Sequence, residues 1–180
     1  MKHEGHVIWL TGLSGAGKST IASAMAGIFR AMALHVLILD GDEIRDAIRD
    51  LNCGHDLQSR LDNAYRISRL AKLAADQDHV VIVATMSMFH EIHDWNRQNL
   101  PGYFEVYLHV EPKILRMRDP KGLYKKIDDG LEKNMPGVDI TPELPKNPDL
   151  FLDNNLHAPK PIEQANKIIA AWEGRAGVKL

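Results

Sequence analysis

Hydrophobic and polar positions alternate along the chain in a way that predicts strands and helices in turn. Short runs rich in β-branched residues predict five strands, at residues 6–10, 35–40, 79–85, 103–110 and 150–154. Amphipathic patterns predict helices at about 18–33, 42–50, 59–77, 90–99, 112–118 and 161–173. This alternation is typical of parallel strands joined by crossover helices. We therefore predict a three-layer α/β fold, with helices on both faces of a parallel sheet.

One stretch, at about residues 119–149, interrupts the alternation. It is rich in Lys, Gly, Pro and Asp and has few periodic apolar residues. We expect it to form a mobile lid within a single domain that spans residues 1–180. A chain of 180 residues, 44% of them hydrophobic, is long enough for one sizeable core and short for two.

Charge and cysteine content narrow the classes of function. The net charge of -2 gives no overall basic field, so we expect neither nucleic acid nor a membrane as a partner. The first apolar run is too short for a signal-peptide core, and no run approaches the roughly 18 residues of a membrane span. Cys53 is the only cysteine, which excludes an internal disulfide and a cysteine-built zinc site. A cytoplasmic location is the expectation.

The first predicted strand leads into a phosphate-binding loop of the pattern G-x-x-x-x-G-K-[ST]. Its glycines let backbone N–H groups face phosphate oxygens, and the following helix adds the positive end of its dipole. In this pattern Lys18 supplies a mobile charge and Ser19 is placed to bind Mg²⁺. The predicted site for the phosphates of ATP consists of Gly12, Leu13, Ser14, Gly15, Ala16, Gly17, Lys18, Ser19 and Thr20.

The second predicted strand ends in the sequence LDGDEIR. Because ligands of parallel sheets bind beyond the carboxyl ends of the strands, Asp40 and Asp42 should lie beside the phosphates, with Arg45 one helical turn further on. This geometry suits a metal, a substrate hydroxyl and a substrate anion, respectively. Helix capping by Asp42 is an equally good explanation of the stretch.

Other classes of P-loop protein fit the sequence less well. The only Asn-Lys pair, at 166–167, lacks the aspartate of a guanine-reading motif, and the strand at 79–85 ends in Thr85 rather than in the acidic residue of motor ATPases. A compact kinase for a small acceptor fits better. A nucleotide-binding regulatory module without turnover is a different class that also has a P-loop, but the intact set of candidate catalytic residues disfavours it.

Four motifs together resemble the adenylylsulfate kinase family: GLSGAGKST, LDGDEIR, RDPKGLYKK and the spaced GVD…P…PKNPDL. The resemblance extends from about Val7 to the last helix. It implies a P-loop kinase fold with a lid, a homodimer, Mg²⁺, and transfer of phosphate from ATP to the 3′-hydroxyl of adenylyl sulfate. Lys18, Asp40, Asp42 and Lys121 are then the catalytic residues.

The same resemblance assigns the remaining site residues. Arg118 and the lid would cover ATP. The implied acceptor-binding residues are Asp42, Arg45, His55, Arg60, Asn63, Ser87, Phe89, Lys121 and Leu123. Lys125 and Lys126 are better explained as solvated surface lysines.

This chain departs from the family pattern on the acceptor side. His55 replaces a Phe and Tyr65 the first of two paired arginines, although Arg60, Asn63 and Arg66 match. In the segment MSMFHEIH, Met88 replaces a Pro, while His90 and His93 replace arginine-type positions. Because these changes are expected to lie in the acceptor pocket, the acceptor is either adenylyl sulfate or another activated nucleotide, such as cytidine diphosphoramidate in capsule biosynthesis. A zinc site built on the two histidines is disfavoured, since no third ligand is in view.

Overall fold

A computed structural model describes residues 5–48, 54 and 56–177. Its five strands form one parallel sheet in the order β2-β3-β1-β4-β5. They are β1 (His6–Thr11), β2 (Val36–Asp40), β3 (Val80–Thr85), β4 (Phe104–His109) and β5 (Leu150–Asp153). All five predicted strands are confirmed, and so is the three-layer α/β class.

Seven helices connect and flank the described strands. They are α1 (Lys18–Ala31), α2 (Gly41–Ile48), α3 (Leu57–Ala75), α4 (His90–Asn99), α5 (Pro112–Arg118), α6 (Leu123–Asp128) and α7 (Pro161–Ala176). The predicted helices match all of these except α6. No helix in these described ranges is both long and apolar enough to span a membrane.

Each face of the sheet has its own apolar cluster, because alternate side chains of a strand point to opposite faces. On one face, Ile8 and Leu10 of β1 pack with residues of α1 and α7, including Phe29 and Trp172. On the other face, Val7 and Trp9 pack with α3 and α4. Since both faces of the sheet are covered, its central strands are largely apolar, as is usual for parallel sheets, with Glu105 in β4 as a buried charged residue.

The missed helix, α6, lies inside the segment that composition marks as a lid. It has only six residues, too few to show a periodic apolar pattern. Its first turn is capped from a distance, since the Asp119 carboxylate accepts the N–H groups of Tyr124 (3.2 Å) and Lys125 (3.0 Å). Tyr124 and, further along, Met135 are buried in the cluster shared with α1. Part of the lid segment is therefore packed on the core.

The strand order places a crevice suited to ligand binding at the carboxyl end of β1. The connection from β1 to β2 runs to one side of β1, whereas β4 lies on its other side. In open α/β sheets such a reversal opens a crevice outside the carboxyl ends of the strands, where ligands bind. The phosphate-loop motif follows β1 directly and so lies at this crevice.

Candidate active site

A cavity of about 1100 Å³ opens at the carboxyl ends of the central strands. Its walls come from the phosphate loop, the starts of α2 and α3, the loop after β3, the lid segment, and the loop between β5 and α7. This volume is slightly above the usual range for sites that bind one small molecule and suits two ligands side by side.

The phosphate loop has backbone geometry that requires glycine. Gly15 and Gly17 have φ angles of 79° and 94°, in the left-handed region that a residue with a side chain rarely adopts. A Cβ atom on Gly17 would also lie 2.7 Å from Nδ2 of Asn154. Gly17 caps α1, so the free N–H groups of the helix begin immediately after the loop.

Lys18 is held inside this loop by carbonyl groups. Its ammonium group donates to the carbonyl oxygens of Gly12 (2.8 Å) and Leu13 (2.9 Å). Burial and then the positive charge of Lys121 lower the pKa of Lys18 to about 8, although the negative charges of Asp40 and Asp42 oppose the shift. A desolvated ammonium group of this kind is stabilised when an anion such as phosphate binds beside it.

The end of β2 brings two carboxylates next to the loop. Ser19 donates from Oγ to Oδ2 of Asp40 at 2.5 Å, and the N–H of Asp42 donates to Oδ1 of the same aspartate at 3.0 Å. Asp40 is therefore the residue that caps α2. The alternative in which Asp42 serves as that cap is wrong, and the Asp42 carboxylate is left exposed at the cavity.

A lid residue reaches across the cavity to this second carboxylate. Lys121 and Asp42 form a close ion pair between Nζ and Oδ2. Burial raises the pKa of Asp42, but the hydrogen bond and the charge of Lys121, together with the charge of Lys18, outweigh it and leave the pKa lowered. Asp42 is thus ionised at neutral pH and available to accept a hydrogen bond.

Another part of the cavity wall, within electrostatic reach of Asp42, is cationic. Arg45 and Arg60 both line it, and Arg45 donates to the carbonyl of Gly54 at 3.0 Å. Burial and the charge of Arg45 lower the pKa of Arg60. The charges of Asp139, Asp42 and Asp56 oppose this shift, but the two like charges still repel each other, so this wall favours a bound anion. Asn63 is largely buried and also lines the cavity.

Comparisons with known proteins agree with this geometry. A model of the adenylylsulphate kinase family matches residues 4–153. The chain belongs to the adenylylsulfate kinase family. It is accordingly a kinase that phosphorylates an alcohol group, on a P-loop kinase fold.

Individual relatives cover most of this kinase. An adenylyl-sulfate kinase of Bacillus velezensis is 43% identical over 156 residues, which is 85% of this chain and 78% of the relative. A cytidine diphosphoramidate kinase of Campylobacter jejuni is 40% identical over 155 residues, or 86% of this chain and 89% of the relative. The solved APS kinase of Mycobacterium tuberculosis, in complex with AMPPNP and APS, superposes with a TM-score of 0.87 at 32% identity, covering 94% and 98% of the two chains.

The fold of this kinase brings most of the predicted site residues to one cavity. The sequence-predicted residues that line it are Ser14, Gly15, Gly17, Lys18, Ser19, Thr20, Asp40, Asp42, Arg45, Arg60, Asn63, Ser87, Phe89, Arg118, Lys121 and Leu123. Gly12, Leu13 and Ala16 shape the phosphate loop without lining the cavity. His55 lies outside the described residues.

Three substitutions expected in the acceptor pocket are not there, and this expectation was wrong. Tyr65 packs edge-on against Trp95 and donates to Glu91 at 2.9 Å. His90 contacts the lid segment, and His93 is buried against Glu105. None of these three side chains lines the main cavity. Helix α4 begins beyond the cavity wall, so its side chains support that wall from behind.

Sequence reasoning missed a group of residues after β5 that holds the phosphate loop in place. Asn154 donates from Nδ2 to the carbonyl of Ala16 at 2.7 Å, and Gln164 donates to Oδ1 of Asn154 at 2.7 Å. Arg118 in turn donates to the carbonyl of Asn154 at 2.7 Å. The rule that found Asp40 could have found Asn154, since both follow the end of a parallel strand.

The pKa of Lys18 generates a test by proton linkage. Bound phosphate should restore the pKa of Lys18 toward its ordinary value, so binding of ADP should take up most of one proton at about pH 9 and little at about pH 7.3. Calorimetry in buffers of different ionisation enthalpy measures this uptake. The Lys18→Arg variant, whose side chain stays protonated, should lose the pH-dependent part of the proton uptake. Equal binding heats in all buffers at the higher pH would contradict the assignment.

Proposed function

We propose that this kinase transfers the γ-phosphoryl group of ATP to the 3′-hydroxyl of adenylyl sulfate. The observation that carries the proposal is the convergence of Lys18, the Ser19–Asp40 pair and the Asp42–Lys121 pair on one cavity that also has a cationic wall. The phosphate loop supplies the donor end. Arg45 and Arg60 supply an acceptor end suited to an anionic nucleotide.

At the donor end, the protein positions and neutralises phosphate, which is most of what phosphoryl transfer requires. The loop N–H groups and the start of α1 hold the β- and γ-phosphates. Lys18 moves from the loop carbonyls to the phosphate oxygens. Arg118, fixed to the Asn154 carbonyl, covers the nucleotide from the lid side.

At the point of phosphoryl transfer, Asp42 and Lys121 have different roles. The ionised Asp42 accepts a hydrogen bond from the acceptor hydroxyl and orients its oxygen toward the γ-phosphorus. Lys121 exchanges part of its contact with Asp42 for the transferring phosphoryl oxygens, whose negative charge it neutralises. The ion pair keeps both groups at the same point before substrates arrive.

Magnesium fits the residues present. The Ser19 hydroxyl and the Asp40 carboxylate lie 2.5 Å apart beside the loop, and both are the hard oxygen ligands that Mg²⁺ prefers. Few protein ligands are needed, because Mg²⁺ in such sites is also held by phosphates and water. When bound, it withdraws charge from the β- and γ-phosphate oxygens.

Cytidine diphosphoramidate is a second candidate acceptor. The observation that favours it is the relative of that name, which matches this chain over 89% of its own length at 40% identity. The adenylyl-sulfate kinase at 43% identity is scarcely more similar. The wall with Arg45 and Arg60 suits either anionic nucleotide.

The proposal also covers the location and the oligomeric state of the enzyme. We place the enzyme in the cytoplasm, which is supported by a single cysteine in the sequence and by the nucleotides it uses. We also propose a homodimer, supported by the family to which the chain belongs.

An acceptor screen tests the function directly. The enzyme is incubated with ATP, Mg²⁺ and either adenylyl sulfate or cytidine diphosphoramidate, and the new phosphate is located by ³¹P NMR. We expect a 3′-phosphorylated product from adenylyl sulfate and a lower kcat/KM with the cytidine compound. The reverse order would identify the second candidate, and no turnover of either would refute the proposal.

Removal of the phosphate-loop charge tests the donor end. Lys18→Ala should fold with a melting temperature close to that of wild type but lose about 10²- to 10³-fold in kcat, the usual cost of deleting one preorganised charge. Lys126→Ala is the matched control, because this lysine is exposed on α6 and does not line the cavity. A near-normal kcat in the Lys18 variant is incompatible with the assignment.

Limited proteolysis tests closure of the lid. Trypsin should cut segment 119–149 in the free enzyme, at exposed lysines such as Lys125 and Lys133, and cut it much more slowly with ADP and acceptor bound, because closure excludes water from the transfer point. Tyr124→Phe removes the hydrogen bond to the Ser14 carbonyl (3.0 Å) and should speed cleavage of the free enzyme. Identical cleavage with and without both ligands would show that the lid does not close.

A further inference from the structure

The loop between β3 and α4, residues 86–89, forms part of the acceptor end of the cavity and is called the acceptor loop below. Contacts of Ser87 hold this loop, in addition to the N–H of Glu143, which donates to the carbonyl of Met88 at 3.2 Å. The hydroxyl of Ser87 contacts that of Thr85 at 2.8 Å, and the carbonyl of Ser87 is 3.1 Å from Nε2 of His93. His93 does not line the main cavity, and so it acts on this loop from behind.

The contact with Ser87 determines which ring nitrogen of His93 carries hydrogen. A carbonyl oxygen can only accept, so Nε2 must be the N–H donor. In the neutral ring, Nδ1 is then a bare acceptor. It faces Oε1 of Glu105 at 3.5 Å, and it has no hydrogen-bond donor of its own. Without a proton between them, Nδ1 of His93 and Oε1 of Glu105 would be two hydrogen-bond acceptors facing each other.

Oε1 of Glu105 is the position from which such a proton could reach Nδ1. Glu105 lies on β4 and is only 2% exposed, and burial raises its pKa more than the neighbouring Arg97 lowers it. Burial lowers the pKa of His93 to about 4, which keeps the ring itself neutral. The arrangement calls for a proton shared between Oε1 of Glu105 and Nδ1 across the 3.5 Å gap, while Nε2 donates to the Ser87 carbonyl.

The carboxyl group of Glu105 is itself held from several sides. Arg97 of α4 donates to Oε2 at 2.9 Å, and the hydroxyl of Tyr103 is 3.3 Å from Oε1. Asp149, just before β5, accepts the backbone N–H of Glu105 at 2.7 Å and pairs with Arg97 at 3.3 Å. The support behind His93 is therefore rigid and connects three elements of the fold.

We infer that His93 is a positioning residue for the acceptor, which fixes the acceptor loop through the Ser87 carbonyl and is itself fixed by Glu105. The inference rests on the proposed function only in that the acceptor loop binds the phosphate-accepting nucleotide. Neither side chain touches substrate. Their effect is to hold the Ser87 backbone so that Ser87 and Phe89 face the cavity.

Kinetics of paired variants test this role. His93→Ala should raise the acceptor KM roughly five- to tenfold, the effect expected from one lost hydrogen bond, with kcat and the KM for ATP within about twofold of wild type. His93→Gln, whose amide can still donate to the Ser87 carbonyl, should recover most of the acceptor KM. His79→Ala is the control, because His79 precedes β3 at the opposite end of the sheet and should change nothing.

The role of Glu105 is tested in the same way. Glu105→Gln places a permanent amide donor opposite Nδ1 and should keep the acceptor KM within about twofold of wild type, whereas Glu105→Leu should raise it roughly as much as His93→Ala does. Equal rises in the KM values for ATP and acceptor, or a loss confined to kcat, would overturn the inference. Melting temperatures show whether each variant folds. If His93→Ala or Glu105→Leu does not fold, the Gln variants still test the inference.

A measurement that needs no substrate separates this inference from the proposed function. In ¹⁵N-labelled enzyme, the ring nitrogen signals of His93 should show a protonated Nε2 and an unprotonated Nδ1 at neutral pH. These signals are assigned to His93 because they disappear in the His93→Gln variant. The opposite tautomer would overturn the inference even if adenylyl sulfate is phosphorylated. Failure of both acceptors with the expected tautomer would refute the proposed function and leave the Ser87–His93–Glu105 arrangement established.

Discussion

The phosphate loop is wedged between the ends of two strands, and the rest of the site depends on this close fit. A Cβ on Gly12 would lie 2.6 Å from the carbonyl oxygen of Leu108 in β4, and one on Gly17 would lie 2.7 Å from Asn154 after β5. The loop can therefore approach both strands only because these positions lack side chains. Asn154 then fixes the loop by donating to the carbonyl of Ala16. Strand order and loop geometry together decide where phosphate can bind.

The cationic side chains of the site are held by protein groups that substrates would replace. Lys18 is held by loop carbonyls and Lys121 by Asp42, so two cations stand ready in a partly desolvated cavity inside a chain whose net charge is -2. Because their surroundings are fixed in advance, little reorganisation is required when negative charge develops during transfer. The segment at 119–149 supplies one of the two cations, so the proposed mechanism couples the position of this segment to the chemistry.

The end of the cavity proposed for the acceptor has two layers of residues. The inner layer lines the cavity and includes Arg45, Arg60 and Phe89. The outer layer holds that wall: His93 supports the acceptor loop at Ser87, and His90 binds the lid segment through the carbonyl of Leu144 at 2.9 Å. Departures from the family pattern at both histidines therefore alter the supports of the pocket. Such changes can adjust an acceptor site without altering the atoms that touch the acceptor.

Sequence by itself determined the elements whose signal is local. The five strands, the phosphate loop and the clustering of Asp40, Asp42 and Arg45 at a strand end follow from periodicity, glycine spacing and the rule that parallel strands end at one edge. Only the tertiary structure decided what depends on contacts between distant segments. The burial of the short helix α6, the support of the loop by Asn154, and the direction of His93 toward Glu105 rather than the cavity join residues far apart in the chain. No local pattern encodes such contacts, because they depend on which helix faces cover which strands.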